Sequence, residues 1–190
     1  IIMAALAKKN LDRPTGDGRR VVRHESIDRL FHWLMAVSIL VLIFTGVAPI
    51  LGLRIAWLDI HWISGLLLTF LVVAHIIRAS FWQDFKSMLL MPKDFAEPFD
   101  SSRKPGKYYF EQKGMHWAVT VVALAVIVTG VLMFMQIDSP FWDRTNSMAE
   151  DQLGLVFLLH GLSTLALVAL AATHIYFALR PEKIFYTRSM

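Results

Sequence analysis

The stretch HWLMAVSILVLIFTG, residues 32–46, returns as HWAVTVVALAVIVTG at residues 116–130. Both copies open on His-Trp and close on Thr-Gly at the same offsets, and neither contains a charged residue. Each copy is followed by a second hydrophobic segment with two histidines fourteen residues apart, His61 with His75 and His160 with His174. Fourteen residues is close to four helical turns, so the two histidines of each segment face the same way, about 21 Å apart. Six of the seven histidines thus recur at matched heights in a duplicated helix pair. That spacing suits two flat cofactors stacked across a membrane.

The membrane reading rests on charge-free windows. Leu30–Leu53 (24 residues), Ile60–Ile77 (18), Gly114–Ile137 (24) and Gln152–Leu179 (28) contain no Asp, Glu, Lys or Arg. A bilayer core of about 30 Å needs roughly 20 apolar residues per helix, so all four qualify, the second near the lower limit. A mean hydropathy of +0.51 and 56% hydrophobic residues agree. The sequence therefore predicts one all-α membrane domain over 1–190, a four-helix bundle in the lipid bilayer. Its expected parts are an arm over 1–29, helices over about 30–53, 60–79, 114–137 and 152–179, and a long loop over 80–113. The arm is cation-rich without an apolar h-region, so it reads as no signal peptide.

Charge sets the orientation. The arm, the 80–113 loop and the tail carry Lys8, Lys9, Arg13, Arg19, Arg20, Arg23, Arg29, Lys86, Lys93, Arg103, Lys104, Lys107, Lys113, Arg180, Lys183 and Arg188. The two remaining loops hold only Arg54 and Arg144, against Asp59, Asp138, Asp143, Glu150 and Asp151. By the positive-inside rule both termini and the long loop are cytoplasmic. A pI near 9.5 is therefore a topology signal, with no indication of nucleic-acid binding. Zero cysteines exclude disulfides, iron–sulfur ligation by this chain, thiolate-bound haem and covalent c-type haem.

Threaded through this topology, the histidines fall into two levels. The outer level presents His61 and His160 opposite Gly46 and Gly130, whose missing side chains leave room for a macrocycle. The inner level presents His32, His75, His116 and His174. Each level can supply a bis-histidine site, which points to two b-type haems. Arg23, Arg29 and Arg78 are placed to pair with propionates of the inner haem. A single intramembrane histidine often only hydrogen-bonds between helices, and one beside tryptophan can be a boundary anchor. Two histidines repeated at a fourteen-residue period are a more specific demand, because ionisable groups in the bilayer are costly. A transporter using these histidines for Zn²⁺ or protons would break its helices near the midplane, whereas Pro49, Pro140 and Pro181 lie in loops or at helix ends.

The same residues carry a family resemblance. Asp28-Arg29-Leu30-Phe31-His32-Trp33 through Thr45-Gly46, His61 with Gly65, Gly106-Lys107-Tyr108 with Gln112-Lys113, His160 and Thr173-His174-Ile175-Tyr176 resemble the cytochrome b subunits of respiratory formate dehydrogenases. The wider group includes nickel–iron hydrogenase cytochrome b and bacterial cytochrome b561. The likeness runs from about Val22 to Arg180. It implies His32 and His174 as ligands of the inner haem, and His61 and His160 as ligands of the outer one. His75 and His116 have no ligand counterpart there. The symmetry of the repeats alone equally allows His75 with His174, so His75 stands as the rival inner ligand.

The resemblance also implies a quinone, menaquinone or ubiquinone, at the cytoplasmic end beside the inner haem, with Tyr109, Glu111 and Gln112 as candidate contacts. This chain departs from the family there, with Tyr109 and Glu111 where asparagine and glycine are usual. The implied function is electron relay from an iron–sulfur subunit on the outer face, itself served by a catalytic subunit, to quinone. The alternatives are a stand-alone b561-type quinone/superoxide oxidoreductase and the cytochrome b of a nickel–iron hydrogenase.

Overall fold

The computed structural model describes residues 11–14, 20–22, 26–82, 85–99 and 108–180. Four long helices make up the membrane part: α1 (Ser26–Val47), α2 (Trp57–Trp82), α3 (Phe110–Phe134) and α4 (Glu150–Leu179). All four are long and apolar enough to cross a bilayer. Two short segments of 3₁₀ helix, Phe85–Met88 and Pro92–Phe99, lie between α2 and α3. Beside this all-helical membrane part the arm carries one short extended element. Leu11–Pro14 and Arg20–Val22 pair as a short antiparallel ribbon in the N-terminal arm. The β-branched pair Val21-Val22 favours extended backbone there.

The helix ends differ from the charge-free windows for identifiable reasons. Each helix begins with an acid in its first turn, namely Asp28, Asp59, Glu111 and Glu150 with Asp151. Carboxylates are favourable at the positive end of the helix dipole, so the helices extend outward past the uncharged stretch. At the start of α3 the Tyr109 N–H donates to Gln112 Oε1 at 3.1 Å. The Ala149 N–H does the same to Gln152 at the start of α4, also at 3.1 Å. Both satisfy one of the amides that a helix start leaves unpaired. At its other end α1 stops at Val47, six residues short of the window. Pro49 has no N–H to continue the ladder, and Gly52, at φ +69°, closes the turn in the left-handed region.

The helices pack as two antiparallel hairpins, α1 on α2 and α3 on α4, with far sparser contact between the hairpins. The near end of the bundle holds the start of α1, the end of α2, the start of α3 and the end of α4. There Arg78 Nε donates to Asp28 Oδ1 at 3.0 Å and ties α2 to α1. The far end is closed by aromatics. Trp62 of α2 stacks on Phe134 of α3 at 5.2 Å, and Trp142 packs on Phe134 at 4.5 Å. Such rings sit well at a membrane–water boundary. Buried apolar residues are few, among them Leu68, Leu71, Ala123 and Leu167. Mid-helix Phe70 and Leu165 are 68% and 67% exposed, as lipid-facing residues must be.

Candidate functional site

The six repeated histidines meet as three pairs, and every pair joins one hairpin to the other. His32 of α1 faces His174 of α4 with ring centres 6.1 Å apart. His61 of α2 faces His160 of α4 at 6.3 Å. His75 of α2 faces His116 of α3 at 6.5 Å. The ligand sets that the family resemblance implies, His32 with His174 and His61 with His160, are thus each brought together. The rival His75 is set against His116.

The separations have a chemical meaning. Two imidazoles bound to opposite faces of one metal, with metal–nitrogen bonds of about 2.0 Å, put their ring centres about 6 Å apart. Among the described residues no cluster of three or more His, Asp or Glu can hold a bare metal ion. A haem iron needs only two protein ligands, because the macrocycle supplies the other four. The interplanar angles are 59° for His32/His174 and 71° for His61/His160. Axial imidazoles both stand upright on a macrocycle and are free to adopt any angle about the shared axis. The donor sets fit a b-type haem.

The far-end pair is positioned by groups whose role the sequence reading did not identify. Thr45 Oγ1 lies 2.9 Å from His61 Nδ1 and 2.8 Å from the Val41 carbonyl oxygen. Thr129 repeats this with His160 Nδ1 at 2.9 Å and the Ala125 carbonyl at 2.7 Å. A hydroxyl has one proton. With that proton donated to the carbonyl, the threonine oxygen accepts Nδ1–H, which leaves Nε2 bare. A bare Nε2 is the tautomer that a metal requires. The signal was present in the sequence, since threonine recurs beside each glycine of the repeat.

Gly46 and Gly130 flank the same rings. A Cβ at Gly46 would lie 3.6 Å from His61 Cε1, and one at Gly130 would lie 3.3 Å from His160 Cε1. The glycines therefore make room first for the histidines themselves, and Gly130 has the tighter fit.

At the near end the 85–99 segment is fastened over the start of α3. Lys113 Nζ donates to Asp94 Oδ2 at 2.9 Å and to the Leu89 carbonyl at 3.2 Å, and both side chains of the ion pair are buried. Trp117 Nε1 donates to the Met88 carbonyl at 2.9 Å. The Met91 N–H at 2.7 Å and the Lys113 ammonium hold the Asp94 carboxyl below the usual range. Gly106-Lys107 and Arg23 lie outside the described residues. Tyr109 and Glu111 are exposed at the start of α3, whereas Gln112 uses its amide oxygen on the helix start. Arg78, expected beside a propionate, is paired with Asp28 at the near end.

Comparison with known proteins identifies the family. The family model described as prokaryotic cytochrome b561 matches residues 23–190. The cytochrome b556 subunit of formate dehydrogenase from Haemophilus influenzae is 27% identical over 177 residues, covering 84% of this chain and 71% of that protein. The chain therefore belongs to the prokaryotic cytochrome b561 family, as a multi-pass b-type cytochrome of the bacterial inner membrane that serves electron transport.

Proposed function

We propose that this chain is the di-haem cytochrome b subunit of a respiratory oxidoreductase of the formate dehydrogenase kind. It anchors that complex in the bilayer and carries electrons from an iron–sulfur partner on the outer face, behind which a catalytic subunit stands, to menaquinone or ubiquinone at the cytoplasmic side. The observation that carries this reading is the pair of facing histidine sets, 6.1 and 6.3 Å between ring centres, at opposite ends of one seam. When bound, the two haems b supply one-electron ferric/ferrous chemistry.

The roles of the chain's own residues follow. His61 and His160 hold the outer group and His32 and His174 the inner one. Thr45 and Thr129 fix the outer tautomers and strengthen those ligands. The apolar helices exclude water along the seam, where charge transfer then meets a low dielectric. At the near end Tyr109 Oη and the Glu111 carboxyl stand at the water boundary. Each is able to hold a proton for a reduced quinone. The near end is the cytoplasmic one on this reading, because the cation-rich segments gather there.

The test is spectroscopic and needs ligand variants. His160→Ala is expected to remove the outer haem and leave the inner one, and His32→Ala to do the reverse, each seen as loss of one step in a redox titration. An unchanged titration in both variants would overturn the ligand assignment. Native purification is expected to bring an iron–sulfur protein with the chain. Full quinone-linked turnover by the isolated polypeptide would decide instead for a stand-alone b561-type oxidoreductase.

A further inference from the structure

Leu68 stands seven residues after His61 and seven before His75. Leu167 stands seven after His160 and seven before His174. Seven residues are close to two helical turns, so each leucine shares the face of its two histidines, about 10 Å along the helix from either. The internal repeat that equates His61 with His160 equates these leucines as well. Both are buried, Leu68 at 2% exposure and Leu167 at 5%, whereas their neighbours Leu67 and Leu165 are 47% and 67% exposed.

The other two helices reach the same height. Ala123 of α3 follows His116 by seven residues, and Ser38 of α1 follows His32 by six. Leu71 lies one turn from Leu68 toward the near end. All three are buried. Elsewhere among the described residues the buried apolar side chains are only Ala48 and Phe134, at the far end. Every helix thus contributes to one packed level between two hairpins that otherwise touch sparsely. The level also offers water little to hold, since a buried water typically makes about three hydrogen bonds. Ser38 donates to the Leu34 carbonyl of its own helix at 2.9 Å, and Thr69, beside Leu68, donates to the Gly65 carbonyl at 2.8 Å.

We propose that Leu68 and Leu167, with Leu71, Ala123 and Ser38, form a dry septum that bars water and protons from the seam between the two haem levels. Its use rests on the proposed function. Electrons cross this layer and protons do not, so the charge moved by the relay is not discharged through the same bundle. The histidines on either side are groups through which a proton chain could run. An apolar constriction between them interrupts that chain by staying unwetted.

The experiment measures proton entry into vesicles holding the full chain, purified with whatever copurifies. A trapped pH dye reports the flux, and a potassium diffusion potential drives it. The wild type and Leu67→Ser, altered on an exposed face, are expected to be as tight as protein-free vesicles. The double variant Leu68→Ser/Leu167→Ser is expected to admit protons about tenfold faster, a change of about 1.4 kcal/mol in the barrier. A double variant that keeps its haem content and is as tight as the wild type overturns the septum. Where the serine variant does not fold, cysteine variants decide, since the chain has no cysteine of its own. Leu68→Cys and Leu167→Cys are expected to resist a charged methanethiosulfonate reagent from both faces, while Asn146→Cys in the exposed far loop reacts. Labelling of the two buried positions at the rate of Asn146→Cys overturns the proposal. The relay is read separately. A redox titration with fewer than two haem steps removes the two-haem reading, and the proton flux still decides the septum.

Discussion

Thr45 shows how much one hydroxyl decides in a medium without water. It is 1% exposed, and its single oxygen links a backbone carbonyl to the ring of His61. Thr45→Val keeps the shape and removes the link. Outer-shell partners of this kind are typically worth about 10–100-fold in metal affinity. Thr45→Val and Thr129→Val should therefore each speed loss of the outer haem to an apo-globin scavenger by about that factor. They should also raise the outer midpoint potential, since the histidine becomes a weaker donor. Unaltered potentials in both would dissociate the threonines from the ligands. The glycines predict an asymmetry. Gly130→Ala brings a methyl to 3.3 Å from His160, tighter than most real contacts, whereas Gly46→Ala meets His61 at an ordinary 3.6 Å. Outer-haem retention should fall further in Gly130→Ala, as read from the reduced spectrum.

At the scale of elements, the segment between α2 and α3 is held by a charge pair that composition alone cannot reveal. Lys113 and Asp94 are 8% and 10% exposed at their side chains. Removing one member of such a pair leaves the other charge without its partner, which loosens the segment. Asp94→Ala should release the 85–99 segment, seen as faster limited proteolysis there with the helices intact. The pH dependence has a definite sign. The folded Asp94 carboxyl titrates below its unfolded value of about 3.9, so its contribution is fully present above that pH. It is lost as pH falls through the folded value. Protease sensitivity of the segment should therefore rise only on strong acidification. The Asp28–Arg78 bridge is about one-fifth exposed. Water still reaches part of this pair, so Arg78→Gln should cost less stability than Asp94→Ala.

For the whole molecule, the two hairpins touch each other sparsely, through histidine rings facing across a seam and the Trp62–Phe134 stack at the far end. A cofactor ligated from both sides would act as a staple, and its binding free energy would become folding free energy. Haem-depleted protein should keep its helical circular dichroism while unfolding at a markedly lower denaturant concentration than the holoprotein. Equal midpoints would mean that helix packing alone holds the hairpins together. Topology offers a second check. A reporter active only outside the cytoplasm should be silent when fused after Met190 and active within the 138–149 loop.

Much of this was legible in the order of residues. Four spans could be read because apolar length is a local property. The heights of His32, His61, His75, His116, His160 and His174 could be read because the helix rise is constant. The helix ends were not legible from charge-free windows, since first-turn acids and the glutamine caps belong to the helix, and Pro49 cuts α1 short. The pairing of the histidines had to come from the tertiary structure. A period along one helix states which way a side chain points and how deep it lies, and leaves open which neighbour it faces. His75 could have met His174 by symmetry. It meets His116, because the hairpins oppose α2 to α3 and α1 to α4 at the near end, and that arrangement is set by packing between segments about forty to a hundred and forty residues apart.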